Sequence, residues 1–237
     1  MTAGQPLQLP LGIKLRDDAT LVNFYPGPNL ACVEAVARLA DPARQLDESV
    51  MLLWGAQASG RSHLLQAACH QLAERDGLAM YFPLAELQQH GPSLLEGTES
   101  LDLLCLDQLD AVVGDSAWEE ALFHLYNRVR EQGGRLLLAA DAPPRQLGLQ
   151  LPDLSSRLSW GLVYQLQPLS DADKQAALIM RAERRGLQLS EDAVRYLFSR
   201  AGRSMSELFD LLEQLDQASL QAQRRLTVPF IKQVMGW

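Results

Sequence analysis

WGAQASGRSHLL, residues 54–65, is the stretch that decides the fold of this chain. It has the form G-x-x-x-x-G-R-S, which is close to the spacing of a phosphate-binding loop. The apolar segment 49–55 leads into it and a helical pattern over 62–75 follows it, so the loop lies between a strand and a helix. In that setting the backbone N–H groups and the helix N-terminus both point at a bound anion. We therefore expect the chain to bind a nucleotide; a plain glycine turn at a strand end is the alternative.

Four residues of the loop are assigned to nucleotide binding. Gly55 and Gly60 let the backbone turn toward the phosphates, and the Ser62 hydroxyl would bind Mg²⁺. Arg61 stands where a lysine is usual. Arginine keeps the positive charge of lysine, and its planar guanidinium can hold a diphosphate. It places that charge less well for a γ-phosphate, where hydrolysis needs it. The substitution favours binding over hydrolysis.

The rest of the chain predicts a two-part architecture. Apolar segments of strand length alternate with helical patterns, which predicts a five-stranded parallel sheet flanked by helices. The five segments are 49–55, 78–84, 100–107, 134–141 and 161–169. After Pro168 only helical patterns remain, which predicts a small all-α lid domain. We expect an extended segment over 1–20, an α/β nucleotide-binding part over 21–168 and a helical lid over 169–237.

Three helix starts carry a serine followed three residues later by an acid. These pairs are Ser116 with Glu119, Ser170 with Asp173, and Ser204 with Glu207. The spacing predicts a capping box at each, in which the serine and the acid each accept a backbone hydrogen bond from the other's residue.

Acidic residues end two of the predicted strands. Asp107 is expected to bind Mg²⁺ together with Ser62. Gln108 follows it where a second carboxylate would orient water; glutamine cannot accept the proton, although Asp110 could substitute. Asp141 ends the next strand, at the edge where open α/β sheets bind ligands, so we assign it to the nucleotide. A turn aspartate is the alternative for Asp141.

Composition excludes several function classes. The 237 residues are 47% hydrophobic and 21% charged, as in ordinary globular proteins. The formal net charge of −8 disfavours a primary role in binding duplex DNA, which depends on Lys and Arg. The three cysteines and four histidines show no zinc-ligand spacing, and an odd cysteine count argues against a disulfide framework. Without a signal or spanning pattern, we expect a cytoplasmic protein that does not enter the membrane.

Taken together, these residues resemble the AAA+ ATPases of the DnaA clade, and specifically its short regulators that inactivate the replication initiator. The resemblance covers nearly the whole chain. It rests on the nucleotide loop, the helical lid and the segments NFYPGPN (23–29), CLDQLD (105–110), AADAPPRQL (139–147) and LPDLSSRLSWG (151–161). The family implies bound ADP or ATP with Mg²⁺. It also implies that the helix-turn-helix domain of initiators does not follow residue 237.

The family further implies a partner and a mechanism. An ADP-bound regulator on the DNA-loaded clamp drives hydrolysis of ATP held by DnaA, which restrains the initiation of replication. Arg157 stands at the arginine-finger position and would act in trans, stabilising charge on the transferring phosphoryl group. A surface salt bridge is the alternative role for Arg157. The resemblance implies that the chain itself has weak ATPase activity at most. A homo-oligomer that depends on the bound nucleotide is a further expectation.

The N-terminal segment resembles peptides that dock on the β sliding clamp of DNA polymerase III. Gln8, Leu9, Leu11 and Ile13 match the Q-L-x-L-x-hydrophobic pattern of those peptides. An extended segment stiffened by Pro10 would insert alternate apolar side chains into a groove while the glutamine amide fixes the register. The chain would then reach DNA indirectly, through the clamp.

Two further expectations follow from the family pattern. Ser206 stands where a lid helix usually carries a sensor arginine, and Arg203 is the candidate to replace it, with a solvated surface charge as the alternative. Phe24 and Tyr25 lie in the segment that family members use beside the adenine. Two other functions stay open: an autonomous ATPase or helicase loader, which would prefer lysine at 61 and a carboxylate at 108, and a small-molecule P-loop kinase.

Overall fold

Five parallel strands form one sheet at the centre of the α/β part of the computed structural model, which describes residues 14–202 and 204–237. The strands are β1 (Val50–Gly55), β2 (Ala79–Pro83), β3 (Leu103–Asp107), β4 (Arg135–Ala140) and β5 (Leu162–Leu166). Their spatial order is β2-β3-β4-β1-β5, and every neighbouring pair is parallel. The predicted five-stranded parallel sheet is confirmed.

Helices cover both faces of the sheet and then form the lid. They are α1 (Leu30–Leu39), α2 (Arg61–Ala73), α3 (Leu84–Leu87), α4 (Ser116–Glu131), α5 (Pro152–Trp160), α6 (Asp171–Arg184), α7 (Glu191–Arg200), α8 (Met205–Ala222) and α9 (Val228–Met235). Helices α6 to α9 share a hydrophobic core of their own, as the helical pattern after residue 168 predicts. None of the helices in the described ranges is long and apolar enough to span a bilayer.

The interior strand β1, which lies between β4 and β5, shows why its sequence is apolar without interruption. Val50 and Leu52 pack into the core that α4 and α5 share, whereas Met51 and Leu53 pack into the core formed with α1 and α2. Successive side chains of a strand point to opposite faces, and here both faces are covered. Each residue of the run is therefore buried, and the loop that follows β1 starts from a rigid base.

Two of the three predicted helix caps form around the expected serine. Ser170 and Asp173 make a reciprocal capping box at the start of α6, with both backbone-to-side-chain hydrogen bonds at 3.1 Å. The Ser204 hydroxyl accepts a long hydrogen bond of 3.5 Å from the backbone N–H of Glu207 at the start of α8.

The predicted capping box at the start of α4 is wrong. Asp115, not Ser116, caps this helix, because its carboxylate accepts hydrogen bonds from the next helical N–H groups. Glu119 does not reach back to a serine cap. Its buried carboxylate accepts hydrogen bonds from the backbone N–H groups of Gly114, at 2.8 Å, and Leu151, at 2.7 Å. Glu119 thereby ties the start of α4 to the segment that leads into α5.

Candidate functional site

Three strands bring the predicted site residues to one edge of the sheet. β1 ends at Gly55, β3 ends at Asp107, and Asp141 directly follows the end of β4 at Ala140. Since β4 lies between β1 and β3 and all three are parallel, their carboxyl ends share this edge. The loop over 55–62 and the two acids therefore surround one location, as the sequence predicts.

The two loop glycines occupy positions that a larger residue would not fit. Gly60 has a φ of 98°, and a Cβ built on it would lie 2.6 Å from a ring carbon of Phe24. A Cβ on Gly55 would lie 2.8 Å from the carbonyl oxygen of Leu166 on β5. Positive φ and close approach are both conditions that select glycine. The loop conformation thus depends on both residues, and Phe24 lies directly against it.

Arg61 and Asp141, which the sequence assigned separately, form an ion pair. The Arg61 side chain is 12% exposed and that of Asp141 is 62% exposed. The backbone N–H of Asp141 also donates a hydrogen bond of 3.1 Å to Asp110. The cation of the loop is therefore balanced by an acid of the protein itself, and a nucleotide phosphate would compete with Asp141 for it.

The carboxylate of Asp107 is buried, with 3% of the residue exposed, and both of its oxygens accept hydrogen bonds. The hydroxyl of Tyr81 donates to Oδ2 at 2.6 Å, and the backbone N–H of Gln108 donates to Oδ1 at 2.9 Å. Gln108 adopts a left-handed conformation with a φ of 58°, which is uncommon for a residue other than glycine. The short turn after β3 thus folds its own N–H back onto the acid.

Tyr81 is a site residue that the sequence analysis missed. It lies on β2, the strand beside β3, and Ser62 and Gln66 are close enough to its hydroxyl to influence its pKa. Burial, and then the negative charge of Asp107, raise the pKa of Tyr81, so that the hydroxyl stays protonated and donates. The only signal in the sequence was a tyrosine inside an otherwise apolar strand.

The chemistry of Ser62 and Asp107 fits a magnesium ion that is shared with a nucleotide. Mg²⁺ takes oxygen ligands and is commonly bound through one or two carboxylates together with phosphates and waters. One hydroxyl and one carboxylate meet at this edge, and the described residues contain no group of three or more His, Cys, Asp or Glu that could hold a metal by themselves. A cation here would depend on the phosphates for further ligands.

Arg157 lies on α5, and its guanidinium carbon lies over aromatic rings of α4. Its Cζ is 4.9 Å from the ring centroid of Phe123 and 5.8 Å from that of Tyr126. Within residues 14–202 and 204–237, no carboxylate forms a salt bridge with it. A guanidinium over an aromatic face is attracted by the ring and keeps its N–H groups as donors.

The remaining predicted residues are only partly placed. Phe24 also packs beside His63, with ring centroids 5.4 Å apart. Ser206 lies in the first turn of α8 with its hydroxyl 2.7 Å from that of Ser204. Arg203 and the four clamp-motif residues Gln8, Leu9, Leu11 and Ile13 fall outside the described part of the chain.

Two family models match successive parts of the chain. The model of the Hda lid domain matches residues 171–235, and that of the bacterial DnaA ATPase domain matches residues 84–165. Between them the two models match more than half of the chain.

Solved structures share the fold. Domain III of the replication initiation protein DnaA from Thermotoga maritima is 20% identical, with 94% of this chain and 98% of that chain covered and a TM-score of 0.75. AMPPCP-bound DnaA from Aquifex aeolicus is 22% identical over 88% of this chain and 68% of that one, with a TM-score of 0.72. The Holliday junction branch migration motor RuvB from Thermotoga maritima is 15% identical over 92% and 73%, with a TM-score of 0.64.

The similar solved structures establish the fold. The two family models indicate which clade of that fold the chain resembles. The five-stranded sheet with its helical lid is the AAA+ arrangement, and both family models lie in the DnaA branch of it. This chain is therefore an Hda/DnaA-like AAA+ protein.

Proposed function

We propose that this protein is a regulatory inactivator of the replication initiator DnaA. Bound to nucleotide and docked on the DNA-loaded sliding clamp, it stimulates hydrolysis of the ATP that DnaA holds and so prevents over-initiation. The observation that carries the proposal is Arg157, an arginine held in place by the rings of Phe123 and Tyr126 with no acid of the described chain paired to it. The matches to the Hda lid and the DnaA ATPase domain support a role in replication.

An arginine finger needs a guanidinium that is both positioned and uncommitted. Attraction to the rings of Phe123 and Tyr126 restricts the Arg157 side chain, which would lower the entropy lost when it enters a partner's active site. In that site its N–H donors would stabilise the negative charge that develops on the γ-phosphoryl group of ATP bound to DnaA. The resulting contribution is made only in the transition state, so it raises the rate of hydrolysis rather than the affinity for ATP.

The chain's own nucleotide is proposed to be retained, as ADP or ATP, rather than turned over. Arg61 is paired with Asp141, and Gln108 supplies no carboxylate to take a proton from water. Mg²⁺, where bound, would be held by Ser62 and Asp107 and would neutralise part of the phosphate charge. Two solved DnaA structures carry AMPPCP, which supports a nucleotide at this edge of the fold.

Docking on the clamp is assigned to the segment over 8–13. Its contribution is to place Arg157 near DnaA on DNA, since tethering two partners on one platform raises their effective concentration. Replacing Gln8 and Leu11 together by alanine should abolish binding to purified clamp, because the amide and the central apolar anchor are both lost. The thermal midpoint should not change, and unchanged clamp affinity would contradict the assignment.

The proposed function is tested by the rate at which DnaA-bound ATP is hydrolysed on DNA-loaded clamp, with and without this protein preloaded with ADP. We expect acceleration that needs both the clamp and this protein. Arg157→Ala should remove the acceleration while clamp binding persists. Arg195→Ala is the matched control, since Arg195 is 71% exposed on α7, far along the chain from the finger, and should retain full stimulation.

One outcome would favour the alternative function. If the folded protein gives no acceleration of DnaA-bound ATP hydrolysis but turns over ATP by itself, the autonomous ATPase or helicase loader becomes the better assignment. Loss of clamp binding together with stimulation in Arg157→Ala would instead indicate misfolding and remove the support for a finger.

A further inference from the structure

The hydroxyl of Tyr81 donates to Asp107, the acid that is expected to face a magnesium ion. Its hydroxyl donates to Oδ2 of Asp107 at 2.6 Å, and Ser62 is a neighbour of the same hydroxyl. The phenol therefore stands at the two side chains that would hold the cation. Mg²⁺ dehydrates reluctantly and keeps several waters, each of which is a hydrogen-bond donor. A hydrated ion would therefore have to share Oδ2 of Asp107 with Tyr81, which weakens each of the two hydrogen bonds.

The carboxylate of Asp107 has hydrogen-bond donors within the protein and needs no cation to supply them. Only 3% of the residue is exposed, so an unpaired carboxylate here would be costly. Both oxygens nevertheless accept a hydrogen bond from the protein, one from Tyr81 and one from the backbone of Gln108. Each oxygen of this buried carboxylate thus has a donor from the chain itself, without any metal ion.

Tyr81 is itself held in place by its neighbours. Gln66, which is 8% exposed and accepts a hydrogen bond from the backbone N–H of Arg16 at 2.9 Å, lies close enough to the Tyr81 hydroxyl to influence its pKa. The ring lies on β2, which pairs along its whole length with β3. The donor therefore has little freedom to swing away when a cation approaches.

We propose that Tyr81 stands in for the cation at Asp107, so that this chain retains a nucleoside diphosphate almost independently of Mg²⁺. The positive charge for the phosphates comes from Arg61 and from the N-terminus of α2, neither of which needs a metal. The proposal rests on the nucleotide site of the proposed function and not on the partnership with DnaA. Tyr81 acts through Asp107, and is in this sense a positioning residue.

The test compares nucleotide binding with and without the cation. The dissociation constant of N-methylanthraniloyl-ADP is measured in excess Mg²⁺ and in excess EDTA for the wild-type protein, Tyr81→Phe and Tyr164→Phe. Tyr164 lies on β5 and is the matched control, because its hydroxyl forms no hydrogen bond with any other described residue. For the wild type and the control, the dissociation constant should differ by less than about threefold between Mg²⁺ and EDTA. Tyr81→Phe should bind the ADP analogue about tenfold more tightly with Mg²⁺ than without it.

A second measurement reads the metal directly. Binding of Mn²⁺ to the ADP complex, followed by electron paramagnetic resonance, should be about tenfold tighter in Tyr81→Phe than in the wild type, because the freed oxygen of Asp107 accepts from the hydrated ion. Equal or weaker Mn²⁺ binding in Tyr81→Phe would overturn the proposal, since the phenol would then not compete with the ion.

ADP binding by the wild-type protein with and without Mg²⁺ tests the proposal even if Tyr81→Phe does not fold. Loss of ADP from the wild type in EDTA would refute metal independence. Failure of the folded protein to bind the ADP analogue under either condition would overturn the nucleotide site and the proposal with it. Failure to stimulate DnaA, with nucleotide retention intact, would count only against the proposed function.

Discussion

The guanidinium of Arg181, on the first lid helix, is paired with the carboxylate of Asp18, 163 residues earlier in the chain. The Arg181 side chain is only 4% exposed, and it also donates to the backbone carbonyl of Asp18 and lies over the ring of Phe209. The segment before α1 is thus anchored to the core of the lid. A buried guanidinium depends on such partners, because leaving it unpaired is costly.

Asp18→Asn should therefore destabilise the protein by about 1–2 kcal/mol in the free energy of unfolding, since Arg181 loses its charged partner. Urea unfolding followed by circular dichroism measures the change. The control is Asp192→Asn, which breaks the pair with Arg195 between two side chains that are 81% and 71% exposed. That change should cost less than about 0.5 kcal/mol, as exposed pairs do. Equal losses in the two variants would contradict the anchoring role of Asp18.

The same pair predicts a dependence of stability on pH. Burial alone would raise the pKa of Asp18, but the hydrogen bond and charge of Arg16 and the charge of Arg181 lower it below the ordinary value of 3.8. A carboxyl group whose pKa is lower in the folded than in the unfolded state stabilises the fold at pH values above its unfolded-state pKa. This stabilisation is lost as the pH falls through the folded-state pKa. The gap in unfolding free energy between the wild type and Asp18→Asn should therefore be constant at pH 5–7 and should narrow below about pH 4. A gap that stays the same down to pH 3 would exclude a charged partner for Arg181.

The strands and the phosphate-binding loop were predictable because their signals are local. A strand buried on both faces must be apolar at every position, as Val50 to Leu53 are, and a loop that turns toward phosphates must have glycine at fixed spacing. The α4 cap was mispredicted because Asp115 and Ser116 are both good capping residues in sequence. In the structure the Glu119 carboxylate accepts hydrogen bonds from Gly114 and Leu151 instead of completing a box with Ser116, a contact with a distant segment that the local sequence does not encode.

The side-chain pairs within the site could not be predicted, because they depend on strand order. Tyr81 meets Asp107 only because β2 and β3 are neighbours, and Arg61 meets Asp141 only because β4 lies beside β1. No spacing in the sequence encodes that order. Residues can be assigned to a site from their motifs, whereas the contacts among them require the topology.

The pair of Arg61 with Asp141 gives a prediction that separates two roles for the acid. If Asp141 mainly restrains Arg61, Asp141→Asn should free the guanidinium for the phosphates and tighten ADP binding by about tenfold. If Asp141 contacts the nucleotide itself, the same change should weaken binding. The structure favours tightening, because the ion pair is already formed. Titration with fluorescent ADP measures the sign, and Asp47→Asn, on an exposed loop before β1, serves as the control.

Gly60→Ala should lower the free energy of unfolding by more than the left-handed backbone conformation alone can explain. At Gly60 the φ of 98° is combined with a Cβ position 2.6 Å from the Phe24 ring, whereas Gly97, which is also left-handed, has a φ of 80° with nothing within 4 Å. Gly97→Ala should therefore lose about 1 kcal/mol of stability for its backbone conformation. Gly60→Ala should lose at least about 1 kcal/mol more, because the ring must move.

ADP binding should also differ between the variants of Gly60 and Gly97. Moving Phe24 disturbs the loop where phosphates would bind, so Gly60→Ala should also lose ADP binding, while Gly97→Ala should bind ADP as the wild type does. Adding Phe24→Ala to Gly60→Ala removes the clash and leaves the backbone cost. If the clash is the cause, the double variant should unfold at a higher urea concentration than expected from adding the two single effects. Strict additivity would mean that the ring does not limit residue 60.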